Sequence, residues 1–209
     1  ILQLKKTAKN ILITGGAGFI GAALIRRLLI NTDALIFNLD KLSYSSDLSS
    51  IDTLINKTNN KGMSNRYKFL KCDLINTKEI SKAVEISDPD LVIHLAAESH
   101  VDRSISNPDN FINSNIIGTY NLLVCVYKHW LNLTEERKKD FIFHHVSTDE
   151  VFGSLGNKGM FSELTPYNPN SPYSATKAAS DHLVNAWFST YKLPIVITNC
   201  SNNYGPWQF

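Results

Sequence analysis

The sequence predicts an α/β fold built around a doubly wound parallel sheet. Short apolar runs alternate along the chain with longer segments whose apolar residues recur at helical spacing, a pattern typical of β-α-β units. The short runs are almost continuously apolar, as expected for strands that helices cover on both faces. A glycine-rich segment at 14–21 follows the first run, and it places a tight turn between the first strand and the first helix.

The apolar runs define six predicted strands, and the helical patterns define four helices. Strands are expected in order at 10–14, 34–40, 67–72, 91–96, 141–147 and 195–199. Helices are expected at 18–29, 78–86, 109–130 and 173–191. In the third helix, apolar residues recur at three- and four-residue steps and should form a buried stripe: Phe111, Ile112, Ile116, Tyr120, Leu123 and Tyr127. Segment 56–65 is polar, contains a glycine and lacks periodicity, which predicts a surface loop.

Composition predicts one globular domain without a nucleic-acid or membrane partner. The chain has 209 residues, enough for one well-cored domain, with 43% hydrophobic and 19% charged residues. Its net charge is +2 with both signs interspersed, which does not favour nucleic acid or a membrane surface. No apolar stretch reaches the roughly 20 residues that a membrane span needs, and no signal peptide is visible.

Cysteine and histidine spacing favours neither disulfides nor a metal site. Cys72, Cys125 and Cys200 are unclustered and lie in or beside apolar segments, which predicts buried, reduced thiols and a cytoplasmic protein. The histidines lack metal-ligand spacing, so no metal is expected and four of them are interpreted as packing residues: His94, His100, His144 and His145.

The glycine-rich segment and one aspartate predict a dinucleotide site. Gly15 permits a tight turn, Gly18 lets the backbone approach a pyrophosphate, and Gly21 allows close packing of helix on strand. The N-terminus of the helix then offers N–H groups to phosphates. Asp40 lies 19 residues beyond Gly21, where its carboxylate can accept hydrogen bonds from both ribose hydroxyls. Since it would repel a 2′-phosphate, NAD is favoured over NADP.

Two further motifs carry chemistry. Tyr173 and Lys177 lie four residues apart and share a helix face. A free tyrosine has a pKa of about 10, and we expect the Lys177 ammonium, aided by an oxidised nicotinamide, to lower it. Thr148-Asp149-Glu150 follows the fifth strand, where open α/β sheets bind ligands. Because strand side chains alternate, both carboxylates can face one substrate only if the strand ends at about Ser147.

Five segments together resemble the extended short-chain dehydrogenase/reductases: 14–21, 95–104, 146–153, 173–177 and 198–206. More narrowly, Ser-Thr-Asp-Glu-Val and Asn-Cys-Ser-Asn-Asn-Tyr-Gly-Pro resemble the dTDP-glucose 4,6-dehydratases, and the similarity covers almost the whole chain. Related sugar-nucleotide 4-epimerases and decarboxylases share the glycine motif and the Tyr/Lys pair, but they generally lack Thr-Asp-Glu at this place. The resemblance implies a Rossmann-like, NAD-dependent enzyme.

The resemblance also implies a role for each catalytic residue. Tyr173 would take the proton of the C4 hydroxyl while NAD takes the hydride, with Lys177 assisting, and Thr148 would orient the C4 oxygen. Oxidation of C4 makes the C5 proton acidic. Glu150 would remove that proton and Asp149 would protonate the departing C6 hydroxyl. Return of the hydride to C6 would convert dTDP-glucose into dTDP-4-keto-6-deoxyglucose plus water.

Other contacts are implied by the same resemblance. Those to the sugar nucleotide involve Ser99, Thr148 and Asn202. Ser114 stands where the family often has threonine, and Phe152 replaces a usual tyrosine. Contacts to NAD, besides the motifs above, involve Phe19, Ile20, Lys41, Leu42, Ser43, Asp73, Leu74, Leu95, Ala96, Ala97, Ser99, Ser114 and Asn203.

The resemblance divides the chain at residue 199. Residues 1–199 would form the NAD-binding domain with the catalytic residues, and 200–209 would begin a smaller lobe that recognises the nucleotide. Most of that lobe is absent from this sequence, so the base and the hexose stay open. The family implies a homodimer. The remaining alternatives are a UDP-sugar 4,6-dehydratase, a 4-epimerase or decarboxylase of the same superfamily, and a non-catalytic NAD-binding fragment.

Overall fold

A computed structural model describes residues 9–57, 61–156 and 159–208. Its centre is a six-stranded parallel sheet with the order β3-β2-β1-β4-β5-β6, the arrangement of Rossmann-type doubly wound folds. This confirms the predicted fold class. The strands are β1 (Asn10–Thr14), β2 (Leu35–Asp40), β3 (Tyr67–Lys71), β4 (Leu91–His94), β5 (Ile142–Thr148) and β6 (Ile195–Cys200).

Helices flank the sheet and connect its strands. They are α1 (Phe19–Asn31), α2 (Ser49–Lys57), α3 (Lys61–Arg66), α4 (Thr77–Ser87), α5 (Val101–Ser106), α6 (Pro108–Phe111), α7 (Gly118–Asn132), α8 (Glu135–Asp140) and α9 (Pro172–Tyr191). A π-helical segment, Ile112–Ile117, joins α6 to α7, and a short 3₁₀ helix, Asp149–Phe152, follows β5.

Each face of the sheet carries its own apolar core, which explains the continuous apolar runs. Leu12, Val92 and Phe143 pack on one face with residues of α4, α7 and α9. Their strand neighbours Ile13 and Ile93 pack on the other face with residues of α1 and α2. Because successive strand side chains point to opposite faces, strands buried on both sides need an apolar residue at almost every position.

Four strand ends beside the candidate site differ from prediction by one or two residues: β3 ends at Lys71, β6 ends at Cys200, and the ends of β4 and β5 bear most on the site. β4 ends at His94 rather than at 96, since the chain then leaves the sheet and passes over the glycine-rich turn, where Ala96 N donates to the side chain of Thr14, at Oγ1, at 3.2 Å. β5 continues to Thr148, which pairs in register with Cys200 on β6. The predicted end at Ser147 is therefore one residue too early, and the bend falls between Thr148 and Asp149.

The predicted buried stripe of helix 109–130 is only partly correct. Phe111 and Leu123 are buried, but Ile112 is 44% exposed and Tyr120 is 46% exposed. For Tyr120 the cause is the preceding π-helical segment, Ile112–Ile117, since a π-turn holds an extra residue and rotates the face that follows.

The predicted loop at 56–65 is wrong where the structure describes it. α2 reaches Lys57 and α3 begins at Lys61, while 58–60 lie outside the described residues. α3 ends on Arg66, whose guanidinium donates to the carbonyls of Leu29, Thr32 and Ala34 at 2.7–3.3 Å. A charged side chain anchors this helix, and apolar periodicity could not reveal it.

The three cysteines differ in burial. Cys72 and Cys125 are buried and unpaired, whereas Cys200, also unpaired, is only half-buried. Within 9–57, 61–156 and 159–208, no helix combines the length and apolar character needed to cross a membrane.

Candidate active site

A cleft of about 680 Å³ opens at the carboxyl ends of the strands. It lies beside β1 and β4, where the strand order reverses and where doubly wound sheets bind their ligands. The glycine-rich turn lines one end of the cleft. Thr148, Glu150, Tyr173 and Lys177 line the other end, so one continuous space joins the two motifs that the sequence placed far apart.

The glycine-rich turn has no room for side chains. Gly15 has a φ of 71°, and a Cβ there would lie 2.6 Å from the backbone N of Ala96. A Cβ at Gly21 would lie 2.3 Å from the carbonyl oxygen of Gly15. At Gly18 a Cβ would meet only that same oxygen, at 3.3 Å, and the cleft side is open. The turn therefore presents bare backbone to the cleft.

Helix α1 begins at the same turn and supplies hydrogen-bond donors. Its N-cap is Gly18, which has no side chain to cap the first-turn N–H groups, and Phe19 and Ile20 line the cleft. Uncapped N–H groups and the positive end of the helix dipole together form a site for an anion such as a pyrophosphate.

Asp40 is buried at the end of β2 and is already well satisfied. Its Oδ2 accepts from Ala17 N at 3.0 Å, and its Oδ1 accepts from Leu42 N at 2.8 Å and from Ser46 Oγ at 3.0 Å. A carboxylate has about four acceptor positions, so one remains for a ribose hydroxyl. The second hydroxyl expected from the sequence would have to displace the Ser46 hydroxyl. The carboxylate and the uncapped helix together fit NAD.

Helix α9 holds Tyr173 and Lys177 one turn apart in the cleft. The helix starts sharply because Ser171 and Ser174 form a capping box and Pro172 occupies the first turn. Tyr173 is 8% exposed and Lys177 is 4% exposed. The amine of Lys177 donates to the carbonyl of Val146 on β5 at 2.9 Å, which fixes the helix against the sheet at the cleft floor.

The lowering of the Tyr173 pKa expected from Lys177 together with an oxidised nicotinamide stays a prediction. The pKa of Tyr173 is raised to about 12: burial is the largest cause and Glu150 acts in the same direction, while a hydrogen bond with Thr148 opposes them. Burial lowers the pKa of Lys177 to about 8. Tyr173 is thus protonated near neutrality. It can donate a proton as it stands, but it needs an additional positive charge nearby to act as a base.

The hydroxyl of Thr148 makes hydrogen bonds to both of the residues that follow it, Asp149 and Glu150. Thr148 caps the 3₁₀ helix by accepting from Glu150 N at 3.2 Å, and its Oγ1 donates to Asp149 Oδ1 at 3.4 Å. Glu150 lines the cleft. Asp149 is not one of the residues that line it, and its carboxylate is hydrogen-bonded to Thr148, which does line the cleft. Burial, followed by repulsion from Asp149, raises the pKa of Glu150, which moves this carboxylate towards the range of a general base.

The other predicted contact residues line the cleft, with the exception of Leu42. Leu42 stands apart: its φ is 59°, its N–H binds Asp40, and its side chain lies in a neighbouring pocket with Asp73. Lys41 binds Glu98 at 3.2 Å and so joins the loops after β2 and β4. The remaining predicted residues line the cleft: Phe19, Ile20, Lys41, Ser43, Asp73, Leu74, Leu95, Ala96, Ala97, Ser99, Ser114, Asn202 and Asn203.

Asn115 was missed by the sequence analysis. It is buried in the π-helical segment, and its amide accepts from Glu98 N at 2.8 Å and donates to Glu98 O and Thr176 Oγ1, both at 3.0 Å. It thereby ties the loop that lines the cleft to helix α9. The available signal was a polar residue inside an apolar helical pattern.

Comparisons with known proteins agree with this geometry. The family model described as GDP-mannose 4,6 dehydratase matches residues 12–209. A probable dTDP-glucose 4,6-dehydratase of Sinorhizobium fredii is 52% identical over 200 residues, which cover 96% of this chain and 55% of that protein. The chain therefore spans little more than half the length of this relative.

Solved structures give the same fold. The dTDP-glucose 4,6-dehydratase of Bacillus anthracis, in complex with NAD, matches with a TM-score of 0.80 and 38% identity, covering 97% of this chain and 57% of that one. The UDP-glucose 4-epimerase of Thermus thermophilus, also with NAD, gives the same TM-score at 27% identity and covers 95% of this chain and 57% of that one.

The match to the family model extends from β1 through the catalytic helix to the last residues of the chain, and it includes the glycine-rich turn, the triplet and the Tyr/Lys pair. The narrower resemblance seen in the motifs is confirmed by the 52% identity to a dTDP-glucose 4,6-dehydratase. The chain therefore belongs to the GDP-mannose 4,6 dehydratase family of extended short-chain dehydrogenase/reductases.

Proposed function

We propose that the full-length protein is an NAD-dependent 4,6-dehydratase that converts dTDP-glucose into dTDP-4-keto-6-deoxyglucose and water. One observation carries the proposal: Thr148 and Glu150 share a cleft with Tyr173 and Lys177, and that cleft continues to the glycine-rich turn. The Tyr/Lys pair and the turn account for oxidation of a hydroxyl. Glu150 adds a base beside the same substrate, which elimination of water requires.

NAD would be held by groups along the cleft. The first-turn N–H groups of α1 would bind the pyrophosphate, Asp40 would accept from the adenosine ribose, and Lys177 would donate to the nicotinamide ribose. When bound, NAD supplies the redox chemistry by accepting a hydride from C4 and returning it to C6. The carboxylate of Asp40 disfavours the extra phosphate of NADP.

The chain's own residues would move the protons. Tyr173 exchanges a proton with the C4 oxygen, and Thr148, which already bonds to Tyr173, orients that oxygen. Glu150 removes the C5 proton once C4 is a ketone, a task that its raised pKa suits, and the protonated carboxyl group returns a proton to C5 when the hydride reaches C6. Asp149 protonates the departing C6 hydroxyl. For that step its carboxyl group must turn from Thr148 Oγ1 towards the cleft.

The runner-up functions are a 4-epimerase or a decarboxylase. The fold does not separate them from a dehydratase, because the Thermus thermophilus epimerase matches with the same TM-score, 0.80, as the Bacillus anthracis dehydratase. Asp149 and Glu150 favour the dehydratase, since an epimerase needs no base for C5. A UDP-sugar substrate remains an alternative. We propose that 200–209 begin the lobe that recognises the base.

A product assay on the full-length protein tests the proposal. Incubation with NAD and dTDP-glucose should yield a 4-keto-6-deoxy product, detected by mass spectrometry as loss of one water and by its absorbance in base. A C4 epimer formed without loss of water would show an epimerase instead. Absence of any product, with NAD still bound, would support a non-catalytic NAD-binding protein.

Substitution of Gly21 tests whether the turn binds NAD. Gly21→Ala places a Cβ 2.3 Å from the carbonyl oxygen of Gly15, so the turn must shift. We expect a cost of about 2 kcal/mol, or roughly 30-fold weaker NAD binding, measured by titration calorimetry on nucleotide-free protein. Gly156→Ala is the matched control, because a Cβ at Gly156 meets no atom of the described residues within 4 Å. Equal affinities in both variants would refute the assignment.

We also propose that the protein is a homodimer that pairs through α7 and α9. Their outer surface carries a run of aromatic contacts, in which Tyr120 and Tyr191 both lie against Trp187. Tyr120, Tyr191 and Phe188 are largely exposed, and a grouped apolar surface of this kind marks an interaction site. Tyr120→Glu should produce monomers in sedimentation equilibrium, whereas Leu164→Glu, at an exposed residue outside these helices, should not. A dimeric Tyr120→Glu variant would contradict the proposed interface.

A cytoplasmic location is the remaining part of the proposal. Cys72 and Cys125 are buried and unpaired, and burial raises the pKa of Cys72 to about 12. Unpaired thiols favour a reducing compartment. Recovery of the protein in a periplasmic fraction would contradict this location.

A further inference from the structure

Helix α9 carries a buried carboxylate one turn beyond Lys177. Asp181 is 0% exposed and follows Lys177 by one turn of α9. Its Oδ2 accepts from Ser147 Oγ at 2.7 Å and from Tyr167 Oη at 3.0 Å. Its Oδ1 has no hydrogen-bond partner among the described residues. His145 Nε2 lies 3.1 Å from Oδ1 but outside hydrogen-bonding geometry.

Burial of a carboxylate costs free energy unless neighbouring groups stabilise its charge. A buried carboxylate loses its hydration, and it is tolerated when an opposite charge or enough hydrogen-bond donors compensate. Two hydroxyls serve one oxygen of Asp181, and the other oxygen lacks a donor. The cation that acts on Asp181 most strongly is Lys177, a residue of the cleft.

Other titratable groups near this pair do not provide a comparable charge. His94 and His145 are held neutral, because burial lowers the pKa of each well below its usual value. The groups that face the pair come from α9, β4, β5, β6 and the loop before α9: Tyr173, His182, His94, His145, Cys200 and Tyr167.

We propose that Asp181 is a positioning residue that keeps the amine of Lys177 protonated inside the buried site. The carboxylate sits on the same helix face as the amine, and Ser147 and Tyr167 hold it there from the sheet and from the preceding loop. Asp181 does not line the cleft. It acts on the substrate only through Lys177, and this kinetic consequence rests on the proposed function.

Lys177 and Asp181 each favour the charged form of the other. Burial lowers the pKa of Lys177 to about 8, and Asp181 is the first of the groups that act against this fall. Burial likewise raises the pKa of Asp181, and Lys177 is the largest cause that opposes the rise. Removal of the carboxylate would take away the largest effect that opposes burial at Lys177, so the amine would lose its proton at a lower pH.

Direct titration of Lys177 tests the inference without reference to catalysis. The full-length protein is labelled with ¹³C at lysine Cε, and the Lys177 signal is assigned by its loss in Lys177→Met. In Asp181→Asn, the midpoint of the Lys177 titration should fall by about one pH unit or more. Asp109→Asn, the same change at an exposed aspartate, should leave it unchanged. An unchanged midpoint in Asp181→Asn would overturn the proposal.

A second variant decides the question if Asp181→Asn does not fold. Tyr167→Phe removes one hydroxyl that holds the carboxylate but keeps the ring against Phe152 and His182. It should weaken ionisation of Asp181 and shift the Lys177 midpoint in the same direction by a smaller amount. No shift in this variant would count against Asp181.

The pH profile of turnover gives the kinetic readout. If the amine must be protonated, activity declines as pH rises through the pKa of Lys177, and this alkaline limb should move to lower pH in Asp181→Asn. A residue with a purely structural role would lower the rate at every pH without moving the limb. Wild-type protein that forms no dehydrated product would refute the proposed function, while the titration of Lys177 would still decide the role of Asp181.

Discussion

Glu150→Gln is expected to lower formation of the dehydrated product about 10²- to 10⁴-fold, the usual contribution of a general base. Glutamine keeps the size of the side chain but cannot accept the C5 proton. Oxidation at C4 does not depend on this carboxylate, so it should persist in part. In the wild type, the base must be ionised. Since burial raises the pKa of Glu150, its activity should rise with pH through a midpoint above the usual carboxyl range.

The two half-reactions are separable in a single turnover. With dTDP-glucose added to the NAD-loaded variant, absorbance of the reduced nicotinamide should appear and remain, because the C5/C6 alkene that consumes it is not formed. Glu136→Gln, an exposed glutamate on α8, should behave as the wild type. Normal loss of water in Glu150→Gln would show that another group removes the C5 proton.

Tyr173→Phe is expected to abolish both oxidation at C4 and formation of product, with a loss of about 10²- to 10⁴-fold. The change removes only the phenol oxygen, and the ring keeps its edge contact with Phe111. Unlike Glu150→Gln, this variant should show no reduced nicotinamide after substrate is added, since the C4 hydroxyl has no group to take its proton.

A tyrosine on the same helix provides the control for Tyr173→Phe. Tyr191 lies at the far end of α9 and is exposed, so Tyr191→Phe should leave turnover unchanged. Thermal unfolding of both variants should match the wild type within about 1 kcal/mol. Reduced nicotinamide appearing at the wild-type rate in Tyr173→Phe would remove this residue from the oxidation step.

Much of the fold can be predicted from the sequence, because strands buried on both faces of the sheet require continuous apolar runs. The runs around Ile13, Val92 and Phe143 are apolar at successive positions for this reason. The failures have local causes. α3 depends on hydrogen bonds from Arg66. The π-helical segment rotates the helix face that carries Tyr120. Neither effect produces a regular pattern of apolar residues in the sequence.

The candidate site was predictable where its residues form local motifs. The glycine-rich turn and the pair Tyr173 and Lys177 lie within short segments, so their spacing, together with the flanking strand and helix and with Asp40, indicated them. Asn115 and Asp181 escaped notice because their partners are distant in sequence. The lowered pKa expected for Tyr173 depends on Lys177 together with an oxidised nicotinamide and stays a prediction, whereas burial alone raises that pKa.

The central claim is that one cleft both oxidises C4 and eliminates water between C5 and C6. The most direct measurement uses dTDP-glucose carrying deuterium at C4, incubated with the full-length protein and NAD, with the product analysed by NMR. We expect a dehydrated product with the deuterium at C6, because the hydride taken from C4 is returned there. Deuterium found again at C4 of an epimerised sugar, with no loss of water, would contradict the account.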